Sequence, residues 1–203
     1  LGVSSHQFDV AERGFSTRFS ADLDMRMNQS SKNSAKKIIN TYTEDKLADI
    51  LFMYGELRNA RSIAKTIVEE REIKNIDTSF QLRSVLQRYL PKAKEHKILA
   101  QIYQAIRIEV NQEIEVLKEF LMQTEELLVS GGRLSVLSYH SLEDRLVKRF
   151  IRNGMFEGEP ERDFFGNFEV PFKSIEKLIV PSPAEIELNN RARSAKLRVA
   201  EKK

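Results

Sequence analysis

At 203 residues, with 41% hydrophobic and 31% charged side chains, the chain has a globular composition sufficient for one sizeable domain or two small ones. The absence of cysteine excludes disulfides, a thiol nucleophile and cysteine metal sites, and His6, His96 and His140 form no His-x-x-x-His pair, so no metal is expected. A net charge of +3 excludes a general polycation; no apolar run nears the roughly 20 residues of a membrane span and no signal peptide is visible, so the reading is a cytoplasmic chain with no membrane partner.

The chain begins at Leu1 without a methionine. Leu1-Gly2-Val3-Ser4-Ser5 reads as the end of a strand entering a turn, so an α/β fold starting there lacks its opening elements. Residues 1–28 are loop-rich, with Gly14 and the charged run Asp22 to Arg26. Residues 29–104 read as a helical unit without strand signal. Thr43 caps a helix carrying Leu47, Ile50, Leu51 and Tyr54 that ends at Gly55. Leu57, Ala60, Ala64, Ile67 and Val68 mark a second helix. Thr78 caps a third, with Leu82, Val85, Leu86 and Tyr89, stopped by Pro91. One long pattern then runs from Ile98 through Ala105, Val110 and Leu117 to Leu128 and ends at Gly131.

Beyond residue 130 the signals become α/β. Arg133 to Ser138 is a strand, Ser141 to Asn153 a helix with Gly154 at its end, residues 157–174 a loop, and Lys177 to Val180 a further strand. Ser182-Pro183-Ala184-Glu185 starts another helix through a capping box with proline at the first position. Lys196 to Val199 closes as a final strand. Between strand and helix, Tyr139-His140-Ser141-Leu142-Glu143-Asp144 forms the polar crossing at which α/β sheets bind ligands. Ser141 with Asp144 fits an N-capping box there, placing His140 beside unpaired backbone donors. Basic residues gather on the following helix (Arg145, Lys148, Arg149, Arg152) and in the tail (Arg191, Arg193, Lys196, Arg198, Lys202, Lys203). Such patches suit nucleic acid, or are simply a solvated basic face. A helical block between a strand end and a strand–helix–strand tail indicates an insertion in a discontinuous α/β domain.

Leu1 to Ser5 with Gln7, Glu12 to Ser16 and Leu23-Asp24-Met25-Arg26-Met27 closely resemble the bacterial 16S ribosomal RNA (cytosine-N4) methyltransferases. The likeness continues through Gln104 to Asn111, Gly131 to Leu134, His140 to Asp144, Val147 to Phe150 and Arg193 to Arg198, in the family's order along essentially the whole chain. Departures are local. Tyr139 stands where phenylalanine is usual, Ser20-Ala21-Asp22 replaces Asp-Gly-Pro, Asn190 replaces a common proline, and His96-Lys97-Ile98 departs from His-Pro-Ala. The resemblance implies a partial Rossmann-like methyltransferase domain dependent on S-adenosyl-L-methionine (residues 1–28 and 105–203) with an inserted all-helical domain for substrate recognition (29–104). The glycine-rich cofactor loop of the family precedes the Leu-Gly-Val-Ser-Ser motif, so the 203 residues alone are expected to bind cofactor poorly and to be inactive. An unpaired sheet edge would then favour a homodimer.

The implied reaction is methyl transfer to a cytidine N4 of 16S rRNA in the small ribosomal subunit. The amine lone pair is delocalised into the ring, so N4 must be held in line with the sulfonium methyl and its hydrogens accepted as nucleophilicity develops. The base must also be splayed out of the RNA. The family's glutamine contacts the cofactor, which makes Gln7, with Ser4 and Ser5, the cofactor-binding candidates; an ordinary polar turn is the alternative. Asp24 and Arg26 are catalytic candidates, as base-edge acceptor and phosphate clamp, or else a structural salt bridge. His140, the third, bonds the base or a phosphate, or only shapes the turn. Glu143 and Asp144 serve the helix start. Arg107 and Asn111 reach the RNA from one helix face or are surface filler. Arg193, Lys196 and Arg198 bind phosphates or balance acids on the same sheet. Phe164, Phe165 and Phe168 offer a stacking platform or anchor their loop. Two rival readings are a non-catalytic RNA- or ribosome-binding module and a helical DNA-binding regulator, the latter disfavoured by the strand–turn–helix.

Overall fold

Hydroxyl side chains start most of the helices in the computed structural model, which describes residues 1–203. Ser34, Thr43, Thr78 and Ser182 each accept a hydrogen bond from the backbone N–H three residues on, which pairs one of the donors a helix start leaves open. They open α2 (Ala35–Thr41), α3 (Glu44–Met53), α5 (Ser79–Val85) and α9 (Pro183–Leu188). The remaining helices are α1 (Ser5–Asp9), α4 (Ala60–Ile73), α6 (Glu95–Asn111), α7 (Glu113–Leu127) and α8 (Ser141–Asn153); the strands are β1 (Arg133–Ser138), β2 (Phe172–Ser174) and β3 (Lys196–Lys202). None of the helices is long and apolar enough to cross a membrane.

The chain divides into two compact units, one of residues 3–113 and one of residues 1–2 with 114–203. In the first, α2 to α6 bury one stripe each, including Ile38, Leu47, Leu51, Ile63, Ile67, Leu82, Ile102 and Ile106, in a single core. Phe15, Leu23 and Met25 belong to that same core. The loop-rich start therefore packs with the helices, and the contact boundaries fall at residues 2 and 113, not at the 28 and 104 read from the sequence. Backbone bonds fix this: Leu23 N–H donates to Asp77, Ser79 N–H to Ala21, and Lys36 N–H to Leu23. Gly55 serves by its size, because a Cβ there would lie 2.6 Å from the Leu51 carbonyl oxygen and 3.1 Å from that of Gln101.

The long helical pattern predicted from Ile98 to Leu128 breaks at Gln112, whose φ is 51. Apolar periodicity continues across the break, so the sequence alone hides it.

In the second unit β3 is the central strand of an antiparallel sheet ordered β1-β3-β2. Leu134, Val136 and Ser138 face inward from β1 while their neighbours are exposed. With Phe172 and Ala200, Leu134 and Val136 form the floor on which α8 lays Val147, Phe150 and Ile151. The predicted strand at 177–180 is only an isolated bridge between Ile179 and Leu197. The regular strand beside β3 is β2, within the segment read as loop, which pairs with Ala200 to Lys202.

Candidate functional site

The α8 start is built differently from its sequence reading. The N-cap is His140, not Ser141, and its box partner is Glu143, not Asp144. His140 Nδ1 accepts the Glu143 N–H (3.4 Å), while the Glu143 carboxylate accepts the N–H groups of Tyr139 (2.9 Å) and His140 (3.4 Å). A hydroxyl one residue on suggested the cap; a ring nitrogen does the same work. Burial pushes the Glu143 carboxyl up, but His140 and the two backbone donors outweigh it and hold it below its ordinary value. The other ring nitrogen, Nε2, is buried and lies 3.2 Å from Glu143 Oε1. The neighbouring acid, Asp144, turns to the sheet. It accepts Arg198 Nε at 2.7 Å and Lys196 Nζ at 3.4 Å. Of the two readings for these cations, the balance of an acidic side chain is thus observed, while Arg193, exposed in the turn Asn190–Ser194, makes no such pair.

In the helical unit the Asp24–Arg26 pair is the salt bridge offered as its structural alternative. Arg26 binds Asp24 through both Nε (2.5 Å) and Nη2 (3.1 Å) and donates through Nη1 to the carbonyls of Gln29 and Ser31. This fork fixes the loop 24–31 and leaves Asp24 Oδ2 with one open acceptor direction. Arg107 and Asn111 are neither free for RNA nor surface filler. Arg107 makes a bidentate pair with Glu113 (2.8 and 3.0 Å), both side chains nearly buried. Asn111 Oδ1 accepts the Met27 N–H (2.7 Å), and its Nδ2 donates to the Met25 carbonyl (2.8 Å). Sequence reading missed these partners because Glu113 lies beyond the helix break and the Met25 and Met27 contacts are purely backbone.

Ser4 and Gln7 form a capping box around α1: Gln7 Oε1 accepts the Ser4 N–H at 3.0 Å. Ser4 and Ser5 are exposed and Gln7 half-buried. Their hydroxyl and amide groups suit one edge of a polar cofactor but on this open turn do not hold one by themselves. Asp24, Arg26 and the Ser4–Gln7 turn belong to the helical unit, and His140 to the sheet unit. Phe164 and Phe165 anchor nothing; they are 98% and 84% exposed, edge to face at 5.6 Å.

The profile of the MraW methylase family matches residues 1–203, the whole chain. The chain belongs to the MraW methylase family. Among family relatives, the protein named ribosomal RNA small subunit methyltransferase H of Flavobacterium johnsoniae is 67% identical over 202 residues, covering 100% of this chain and 67% of its own length. The proteins of that name from Flavobacterium psychrophilum and Cytophaga hutchinsonii are 66% and 54% identical, with 70% and 68% of their lengths matched. This chain thus spans about two thirds of these MraW relatives, and its small antiparallel sheet with α8 fits part of a methyltransferase fold.

Proposed function

We propose that the chain acts in S-adenosylmethionine-dependent N4-methylation of a cytidine in 16S rRNA of the small ribosomal subunit, in the bacterial cytoplasm. The single observation that carries this is the match of the family profile along all 203 residues. Relatives named for small-subunit rRNA methylation, up to 67% identical, support it.

Within that reading, Asp24 Oδ2 is the acceptor for an N4 hydrogen, held in place by Arg26, whose guanidinium also offers charge to a phosphate. His140, set beside Glu143, bonds the cytosine carbonyl or a phosphate through its Nε2. Gln7, with Ser4 and Ser5, lines one edge of the cofactor, which supplies the methyl group when bound. Arg193 contacts phosphate directly. Lys196 and Arg198 supply field from their Asp144 anchorage, and Asn111 holds the loop that carries Asp24 while Arg107 braces the end of its helix. The helical unit contributes substrate recognition. Because the Ser4–Gln7 turn is open, the 203 residues alone are proposed to bind cofactor weakly and turn over negligibly.

The test is methyl transfer from labelled S-adenosylmethionine to unmodified small subunits, using this chain beside the product of its whole reading frame. Label is expected in N4-methylcytosine with the whole product and lost in its Asp24→Asn variant. Tight subunit binding without label from either protein would instead establish a non-catalytic RNA-binding module.

A further inference from the structure

The second half of α8 and the edge strand β2 border a cleft of about 410 Å³. Ile151 and Phe172 give it an apolar floor, and Lys148, Arg152 and Arg198 stand around it. No acidic residue lines it. Two further lysines, Lys173 and Lys203, lie at its border. Lys173 stands beside its register partner Glu201, and the Lys203 N–H donates to the Pro171 carbonyl.

Lys148 and Arg152 are exposed, lie one helical turn apart, about 6 Å along the axis, and make no ion pair. Like charges at this spacing cost a helix a few tenths of a kcal/mol. The acids of α8 give no relief, since Glu143 is spent on the helix start and Asp144 on Arg198 and Lys196. Arg152, in the last turn, gains from the helix dipole; Lys148 is too far from that end to do so. Folding therefore leaves an uncompensated pair of cations over an apolar floor, at an open sheet edge. Lys148 and Arg152 lie about 12 and 18 Å along α8 from His140, too far to act on the same nucleotide.

We infer that this cleft is an anchoring site for the phosphodiester backbone of the RNA, remote from the nucleotide being methylated. The inference rests on the RNA-directed reading above, and its test does not require catalysis. Binding of the 203-residue chain to a single-stranded small-subunit rRNA fragment is measured from 50 to 200 mM salt, for wild type and Lys148→Gln/Arg152→Gln. Two lost phosphate contacts should flatten the log–log salt slope by about 1.4, so that wild type loses about sevenfold more affinity across that range than the variant. Melting curves verify folding, which exposed helix positions should leave intact. A slope equal to wild type overturns the proposal, as does an equal flattening in the control Lys74→Gln/Lys177→Gln, which would mean that only net charge matters. Polyglutamate and inorganic phosphate are run in parallel. Loss of polyglutamate binding with RNA binding unchanged would identify a protein partner, and displacement of RNA by millimolar phosphate a small-anion site; either overturns it. Cleft-dependent RNA binding without methyl transfer by the whole reading-frame product would keep the cleft and reject the enzyme, and methyl transfer with an unchanged slope would do the reverse.

Discussion

Replacing Asn111 by alanine should unseat the segment that carries Asp24 and Arg26. The amide is the only side chain that answers both the Met27 N–H and the Met25 carbonyl, at 2.7 and 2.8 Å. Met25 is fully buried, with a left-handed φ of 57, so its backbone cannot turn cheaply towards water. Leaving a buried backbone group unpaired costs about 1–3 kcal/mol, and two such groups, one of them half-exposed, come to about 2–4 kcal/mol. With a urea dependence of about 2 kcal/mol per M, the midpoint of the helical unit's transition should fall by about 1–2 M, read by far-ultraviolet circular dichroism. Amide exchange at Met27 should quicken in step. Asn111→Asp keeps the acceptor for Met27 but sets a carboxylate oxygen against the Met25 carbonyl, so it should be at least as damaging at neutral pH and partly recover in acid as that oxygen gains a proton. A stability within about 0.5 kcal/mol of wild type, the usual range for surface positions, together with unchanged Met27 protection, would refute the reasoning.

Asp144→Asn should cost about 2 kcal/mol in thermal melts, less than the 3–5 of a fully buried pair, because Lys196 is 36% exposed and Arg198 17%. Burial raises the Asp144 carboxyl, but Arg198 and then Lys196 outweigh it and hold it below its ordinary value; its folded value thus lies under its unfolded one. That stabilisation is complete above about pH 4 and is lost as pH falls through the folded value, so the variant's acid profile should be flatter. Tyr42 presents the opposite sign: burial first, then its hydrogen bond to Glu109, push the phenol up to about 12. Its contribution should be intact below pH 10, fade as pH rises towards 12, and be absent in Tyr42→Phe, as melts from pH 9 to 11 would show. Gly14→Ala should be worse than Gly166→Ala. Both have positive φ, about a 1–2 kcal/mol penalty for alanine, but only at Gly14 would the Cβ meet backbone, 2.3 Å from the Asp22 oxygen and 2.9 Å from the Asp24 nitrogen; melting of the two variants compares them.

Local chemistry was legible where one residue decides the outcome. Thr43, Thr78 and Ser182 cap helices as hydroxyls do, and Pro183 sits at the first position of its helix. What the sequence hid was long-range. Nothing in the run of apolar residues from Ile98 to Leu128 marks Gln112 as a left-handed break, and Ile179 has the composition of a strand residue but gains only one bridge. The same holds for the site. His140 and Asp24 stand out by type and motif, yet which partner occupies Asn111, Arg107 or Arg198 depends on contacts that sequence spacing does not encode. The cap at His140 shows the intermediate case: the box was visible, but serine's stronger preference placed it one residue late.

The sheet order has a kinetic consequence. β1 and β2 do not touch; each pairs only with β3, which lies beyond both in the chain. The Ser138–Lys196 hydrogen bond spans 58 residues, and that closure entropy is spent before β1 can join the sheet. The helical unit has mostly neighbouring elements to dock, so refolding should be biphasic, with the sheet unit slower. In the interval α8 has no sheet beneath it, and its stripe of Val147, Phe150 and Ile151 faces water. That is when the chain is most exposed to self-association, and when a polyanion or chaperone engaging its basic face would do most to keep it monomeric.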